Sequence, residues 1–148
     1  MSAESARYFR GYFNQSPGIS DVGSYQMAGK PFIKGGQVDV NGAEIEIRFP
    51  EVPRSITIIN KDAANDDLRV HFASVGLAGN PVVANKNFIT LDSKNSSVTL
   101  NVRCRSIFLS TPSGGGACDF EMFAELTGIA TDMMADLNQL NVPGVSSA

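Results

Sequence analysis

The chain of 148 residues has no tryptophan, a single histidine and two cysteines. It also lacks an apolar run of the roughly 18 residues that a membrane-spanning helix needs. One histidine excludes a metal centre built on three histidines, and no residue set indicates a serine–histidine triad. Basic residues are not clustered beyond Arg103 and Arg105, and the net charge is −3, so no nucleic-acid surface is predicted. The N-terminal segment lacks the apolar stretch of a secretory signal.

Charged residues are also scarce. They make up 18% of the chain, against about 25% in an average globular protein. Such a composition favours a protein whose surface is partly covered by partners. The length indicates one domain, and the hydrophobic fraction of 43% is enough for an ordinary core.

Alternation of apolar and polar residues predicts strands along most of the chain. In the longest segment, 117–126, one face carries Cys118, Phe120, Met122, Ala124 and Leu126, and the other carries Asp119, Glu121, Phe123 and Glu125. Shorter strands are predicted at 37–40, 43–49, 54–60, 68–72, 87–91, 98–102 and 106–110. Asn41-Gly42 and the segment TPSGGG (111–116) predict hairpins. About eight strands without intervening helices predict an all-β fold, an antiparallel β-sandwich of jelly-roll or immunoglobulin-like type.

Three regions are predicted: an extended N-terminal arm at 1–33, the β-sandwich domain at 34–126, and a C-terminal helix and tail at 127–148. The strand pattern stops at Thr127-Gly128, after which apolar residues recur at spacings of three and four, as in a helix. The residues on this apolar stripe are Ile129, Met133, Met134, Leu137 and Leu140.

The arm has no regular periodicity, yet residues 7–13 hold four aromatic rings and two arginines. Aromatic residues and arginine are enriched in interface cores, and four rings left in water would promote aggregation. We predict that these side chains dock on a neighbouring subunit; burial against the chain's own domain is the alternative. The predicted partner-binding residues are Arg7, Tyr8, Phe9, Arg10, Tyr12 and Phe13.

No residue pattern predicts an enzyme. His71 lies on the polar side of a predicted strand and is expected at the surface. The carboxylates of 117–126 share one strand face, as on a solvated sheet, and the acidic turn 61–67 lacks a complete calcium-loop pattern. Cys104 and Cys118 have no CxxC spacing and are expected to be free thiols. We therefore predict no catalytic residue, no metal, no cofactor and no small-molecule substrate.

Three segments carry a family resemblance. These are SITIINKDAANDDLRVHFAS, NFITLDSKNSSVTLNVRCRSIFLS and FEMFAELTGIATDMMADL, which together extend over about residues 54–140. Their order resembles that of small virion structural proteins of tailed phages, especially marine phages that infect cyanobacteria. The resemblance implies a β-sandwich that coats or cements a capsid or decorates a tail, and it supplies no active-site residues.

The expected function is that of a non-enzymatic capsid decoration or cement protein. Its expected partners are the major capsid protein or other virion subunits, with self-association on the particle, and no nucleic acid or membrane. The expected location is the capsid surface of the virion, after synthesis in the host cytoplasm. The alternative is a receptor- or carbohydrate-binding β-sandwich module of a tail or head fibre.

Overall fold

The computed structural model describes residues 29–76, 81–137 and 142–146. These residues contain eight strands: β1 (Lys30–Val38), β2 (Glu44–Arg48), β3 (Glu51–Asn60), β4 (Leu68–His71), β5 (Ile89–Leu91), β6 (Ser97–Leu100), β7 (Ser106–Ser110) and β8 (Cys118–Ala130). A one-turn helix, α1 (Pro81–Ala84), precedes β5, and a 3-10 turn (Thr131–Met133) follows β8. The predicted all-β class is confirmed for these residues. Most of the predicted arm, residues 1–28, lies outside them.

The strands form two antiparallel sheets of four strands each. Sheet A has the order β1-β8-β3-β6, and sheet B has the order β2-β7-β4-β5. Within these sheets the pairing is nested, because the first strand pairs with the last, the second with the seventh, the third with the sixth and the fourth with the fifth. The chain is thus one long antiparallel ribbon that contributes strands to both sheets. Further pairing of β3 with β8 and of β4 with β7 joins neighbouring strand pairs into the four-stranded sheets.

The inner faces of both sheets share one hydrophobic core. Strand β8 lies in the middle of sheet A and buries every second side chain from Cys118 to Leu126. The largest of these, Phe120 and Met122, belong to the same core cluster as Ile58 of β3 and Ile107 and Leu109 of β7. Fully burying one such side chain stabilises the fold by about 1.5–3 kcal/mol relative to leaving it exposed.

The start of the fold differs from the prediction. Strand β1 begins at Lys30 rather than at Gln37, so residues 30–33 of the predicted arm belong to sheet A. Most of β1 is exposed at the sheet edge. A strand that buries few side chains does not need alternating apolar residues, so the sequence shows no strand pattern there. Asn41 and Gly42 do form the expected turn, with φ of 61° and 79°. However, this turn joins strands of different sheets, and the predicted hairpin is wrong.

The end of the fold also differs, because β8 continues to Ala130 beyond the predicted boundary at Leu126. Gly128 has φ of 82°, and the pairing with β3 shifts register between Leu126 and Ala130. Between these two pairs β8 has two residues more than β3, and an irregularity of this kind interrupts alternation without ending the strand. The predicted helix is therefore not present at 127–130, and 131–133 form only the 3-10 turn. Residues 138–141 and 147–148 lie outside the described part.

Two further expectations about strand connections are corrected. Strands β7 and β8 belong to different sheets, so TPSGGG (111–116) connects the sheets instead of closing a hairpin. The strand predicted at 54–60 begins earlier, so Pro53 lies inside β3, where the ladder to β8 is irregular on both sides of it. A proline has no N–H to donate, and such an irregularity is where a strand tolerates one.

Candidate functional site

The predicted partner-binding residues, 7–13, lie outside the described residues. Among the described residues, the outer side of sheet A carries an exposed apolar pair and that of sheet B carries a buried polar cluster.

The outer face of sheet A carries an exposed apolar pair. Ile33 of β1 lies directly opposite Phe123 of β8, and these side chains are 76% and 41% exposed. The same row continues across β3 and β6 through Thr57 and Thr99, whose hydroxyls are 3.0 Å apart. Among the large exposed hydrophobic side chains of the described residues, only Ile33 and Phe123 are direct cross-strand partners.

Carboxylates flank this apolar pair on both sides along β8. Asp119 accepts a hydrogen bond of 2.9 Å from Gln37, and Glu121 lies 3.8 Å from the Lys61 ammonium. On the other side, Glu125 Oε2 lies 2.7 Å from Arg54 Nη2, a close ion pair without the angles of a hydrogen bond. The expectation that these acids share one sheet face is confirmed. Side by side on an open sheet, they do not face one another across a cleft as glycosidase carboxylates do.

The outer face of sheet B holds His71. This residue was predicted to be exposed, but it is buried. Only 1% of its surface is accessible, and its ring stacks on Phe108 with centroids 6.0 Å apart. His71 Nδ1 lies 2.7 Å from the carbonyl oxygen of Ala73, which can only accept, so Nδ1 carries the proton. Nε2 is then free to accept the hydroxyl proton of Ser110 at 2.8 Å.

Glu44 extends this arrangement to the edge of sheet B. Its carboxylate accepts hydrogen bonds from the Ser74 hydroxyl at 2.6 Å and from the Val75 backbone N–H at 2.7 Å. It also lies 3.9 Å from His71 Nε2. These contacts form a polar brace that ties the loop after β4 to strands β2 and β7. The brace consists of Glu44, His71, Ala73, Ser74, Val75 and Ser110.

Burial lowers the pKa of His71 below its ordinary value of 6.5. The Ala73 carbonyl and the Glu44 carboxylate oppose this effect, and the Arg69 guanidinium adds to it. The neutral imidazole is thus the form that fits the polar brace.

The contact between Ser110 and His71 has the geometry of a nucleophile and its general base. Two features favour a structural role instead. Ser110 is 2% exposed, so little of it is open to an incoming acyl group. The third partner is a backbone carbonyl and not a carboxylate, so it cannot stabilise an imidazolium as strongly. A cavity of about 220 Å³ does reach Ser110, between Arg69, Val83 and Thr111.

The acidic turn after β3 is organised by its own backbone. Asp62 accepts hydrogen bonds from the backbone N–H groups of Ala64 and Asp66, at 2.8 and 2.9 Å. Buried Asn60 donates to the carbonyls of Asp66 and Leu91, at 2.8 and 2.9 Å. These side-chain to backbone hydrogen bonds hold the turn in place, as is usual for Asp and Asn in turns. Within residues 29–76, 81–137 and 142–146, no group of three or more His, Cys, Asp or Glu side chains is placed to hold a metal ion.

Cys104 and Cys118 are buried free thiols, which confirms the prediction. Burial raises the pKa of each thiol to about 12, and Asp62 and Asp66 contribute further at Cys118. A buried thiol with a raised pKa is a poor nucleophile, so both are expected to be unreactive in the folded protein.

None of the helices in the described residues is long and apolar enough to cross a membrane. No protein-family model matches the chain, and a search of curated proteins finds no significant relative.

Proposed function

We propose that this protein is a non-enzymatic virion structural protein of a tailed phage, with a jelly-roll fold, that decorates or cements the capsid. The nested strand pairing carries the proposal. A ribbon in which strands 1–8, 2–7, 3–6 and 4–5 pair, and which rolls into two four-stranded sheets, has the connectivity of a jelly roll. Viral capsid domains are among the main users of that fold.

Lectins and cupins share the jelly roll, so the fold alone does not select a function. Two observations favour a shell protein. The outer face of sheet A carries an exposed apolar pair on β1 and β8 with carboxylates on both sides of it along β8, and an apolar patch bordered by polar groups is typical of a protein–protein interface. The resemblance of residues 54–140 to phage virion proteins points the same way.

The arm supplies the attachment in this proposal. Tyr8, Phe9, Tyr12 and Phe13 bury their rings on a neighbouring virion subunit, and Arg7 and Arg10 pair with carboxylates at the rim. Each buried ring contributes about 1.5–3 kcal/mol, so two docked rings already matter for binding. Each small protein that bridges shell subunits adds buried area and so opposes the internal pressure of the genome.

A fibre module that binds a receptor or carbohydrate is the second candidate. It is favoured by the Phe123 ring, which is 41% exposed and lies beside the Thr57 hydroxyl and the Glu121 and Glu125 carboxylates. An aromatic face beside hydrogen-bonding groups is a common platform for a sugar ring.

An electron-microscopy map of the native particle tests both candidates. Density for two four-stranded sheets at regular positions on the shell supports the decoration role, and density at a fibre tip supports the second candidate. If the protein is not part of the particle, both are wrong.

Deletion of residues 1–14 tests the attachment. We expect the melting temperature of the protein to change little and binding to particles to be lost. If the truncated protein melts much lower while its folded fraction still binds particles, the arm belongs to its own domain.

A further inference from the structure

We propose that the outer face of sheet A is the docking surface for the arm, residues 7–13, of a second copy of this chain. The inference rests on the proposed function, which it deepens by naming the partner of the arm. Self-association through one repeated contact would let neighbouring copies link to one another on the particle.

The chemistry of the acceptor face matches that of the arm. The face has the apolar pair of Ile33 on β1 and Phe123 on β8, and the acids Asp119, Glu121 and Glu125 lie along β8. The arm segment RYFRGYF holds four rings and two arginines and has no acidic residue. Rings that cover the apolar pair would bring the guanidinium groups to the flanking carboxylates, of which Glu121 has a side chain 61% exposed.

The face is a better acceptor than the free edge of β1. Pro31 offers no N–H for strand addition, and exposed Lys30 and Lys34 add charge to the same edge. Proline and lysine are the residues that natural edge strands use against unwanted pairing. An arm with two arginines would also meet like charges there, whereas on the face the three carboxylates of β8 outnumber the two cations beside them, Lys61 and Arg54.

The length of chain between the arm and β1 is sufficient for the arm to reach a second copy. Lys30 pairs with Leu126, three residues from Phe123 along β8, which is a separation of roughly 10 Å. Four or five residues would span that distance. Residues 14–29 can instead extend over roughly 50 Å, more than the diameter of about 40 Å expected for a domain of this size.

The first experiment measures the dissociation constant of self-association of the full chain by sedimentation equilibrium. We expect Ile33→Ser and Phe123→Ser each to raise it at least about tenfold, from the area that one apolar side chain buries. Ile89→Ser is the matched control, because Ile89 is also exposed, at 41%, but lies on sheet B. Its expected effect is within about twofold. A protein that remains monomeric throughout, or equal effects at all three positions, overturns the proposal.

A charge swap tests the contact without disturbing the core. Arg10→Glu and Glu121→Lys should each weaken self-association, and the two together should restore it at least in part, because the opposite charges are then exchanged. Asp92→Lys makes the same charge change at an exposed position outside the strands of sheet A and should not rescue Arg10→Glu. No recovery in the double variant counts against the pairing of arm and face.

A photoreactive benzoylphenylalanine in place of Phe9 identifies the acceptor. The expected product has the mass of a dimer, with the crosslink in the peptide that contains residues 119–125. A crosslink to that peptide within one chain, or a crosslink elsewhere, overturns the proposal. Particle binding is measured on the same variants: if Phe123→Ser and Glu121→Lys still bind particles while deletion of 1–14 does not, the proposed function stands and only the self-association is wrong.

Discussion

Acid should destabilise this protein through one identifiable residue, His71. The native state holds its imidazole neutral with a pKa below 6.5, whereas the unfolded chain protonates near 6.5. As pH falls through 6.5, the unfolded state therefore binds a proton that the native state does not, and the free energy of unfolding decreases. Above this range the imidazole is neutral in both states and contributes no pH dependence.

The size of the effect is bounded by one proton. The free energy of unfolding can change by at most about 1.36 kcal/mol per pH unit from a single group, which is about 2 kcal/mol between pH 6.5 and 5. The slope disappears once pH is below the native pKa. Protonation would place a charge between Phe108 and Ser110, and Glu44 at 3.9 Å is the nearest group to compensate it. The positive charge of the Arg69 guanidinium disfavours a protonated His71.

Urea unfolding of the protein and of His71→Asn from pH 8 to 5 measures the effect. Carboxylates titrate in both proteins, so the difference between their free energies of unfolding isolates the effect of His71. We expect the free energy of unfolding of the parent protein to approach that of His71→Asn as pH falls below 6.5. Because the chain has one histidine, a tag-free sample gives a single histidine Cε1–H resonance by NMR, which reports the native pKa directly. In Ser110→Ala the neutral ring loses its hydroxyl donor, so the native pKa should rise.

A constant difference between the parent protein and His71→Asn across this range would refute the reasoning. So would a native pKa at or above 6.5.

Two further substitution and labelling experiments test the packing. Gly29→Ala should lower the melting temperature, because a Cβ there would collide with the Leu126 carbonyl, whereas Gly35→Ala meets the Phe120 carbonyl only at an ordinary 3.5 Å and should change it little. Equal losses would show that the close approach at Gly29 is unimportant. Cys104 and Cys118 should resist iodoacetamide at pH 8 and react after unfolding in urea, since their thiols are buried with pKa values of about 12. Rapid native labelling of either, measured by mass spectrometry, would contradict their burial.

The strands that the sequence predicted well are those with one buried and one open face. In β8, every second residue from Cys118 to Leu126 is buried, so its chemistry alternates visibly. Strand β1 was located poorly because it lies at an edge and is mostly exposed. The break in alternation at Gly128 predicts the end of a strand. The sequence alone does not distinguish a glycine that ends a strand from one at an irregularity inside it, because both positions favour a positive φ.

The polar brace could not be predicted from local pattern. Alternation correctly placed His71 on the opposite side of β4 from Val70, but it cannot tell whether another segment covers that side. Strand β7 has four consecutive buried residues, Ile107 to Ser110, which shows that sheet B is covered on both faces here. The contact of His71 with Ser110 joins residues 39 positions apart, a separation that only the nested pairing brings together.

The pairing of the first strand with the last also determines how the protein responds to mechanical force. Tension on the chain ahead of Lys30 reaches the β1–β8 ladder at its end, where Lys30 pairs with Leu126 and forms an ion pair of 2.7 Å with Glu51. The hydrogen bonds of an antiparallel ladder loaded in this way break one after another, and not all at once. Strand β1 would therefore peel away first and uncover Phe120 and Met122, so a molecule held by its N-terminal arm opens its core from the strand nearest the attachment.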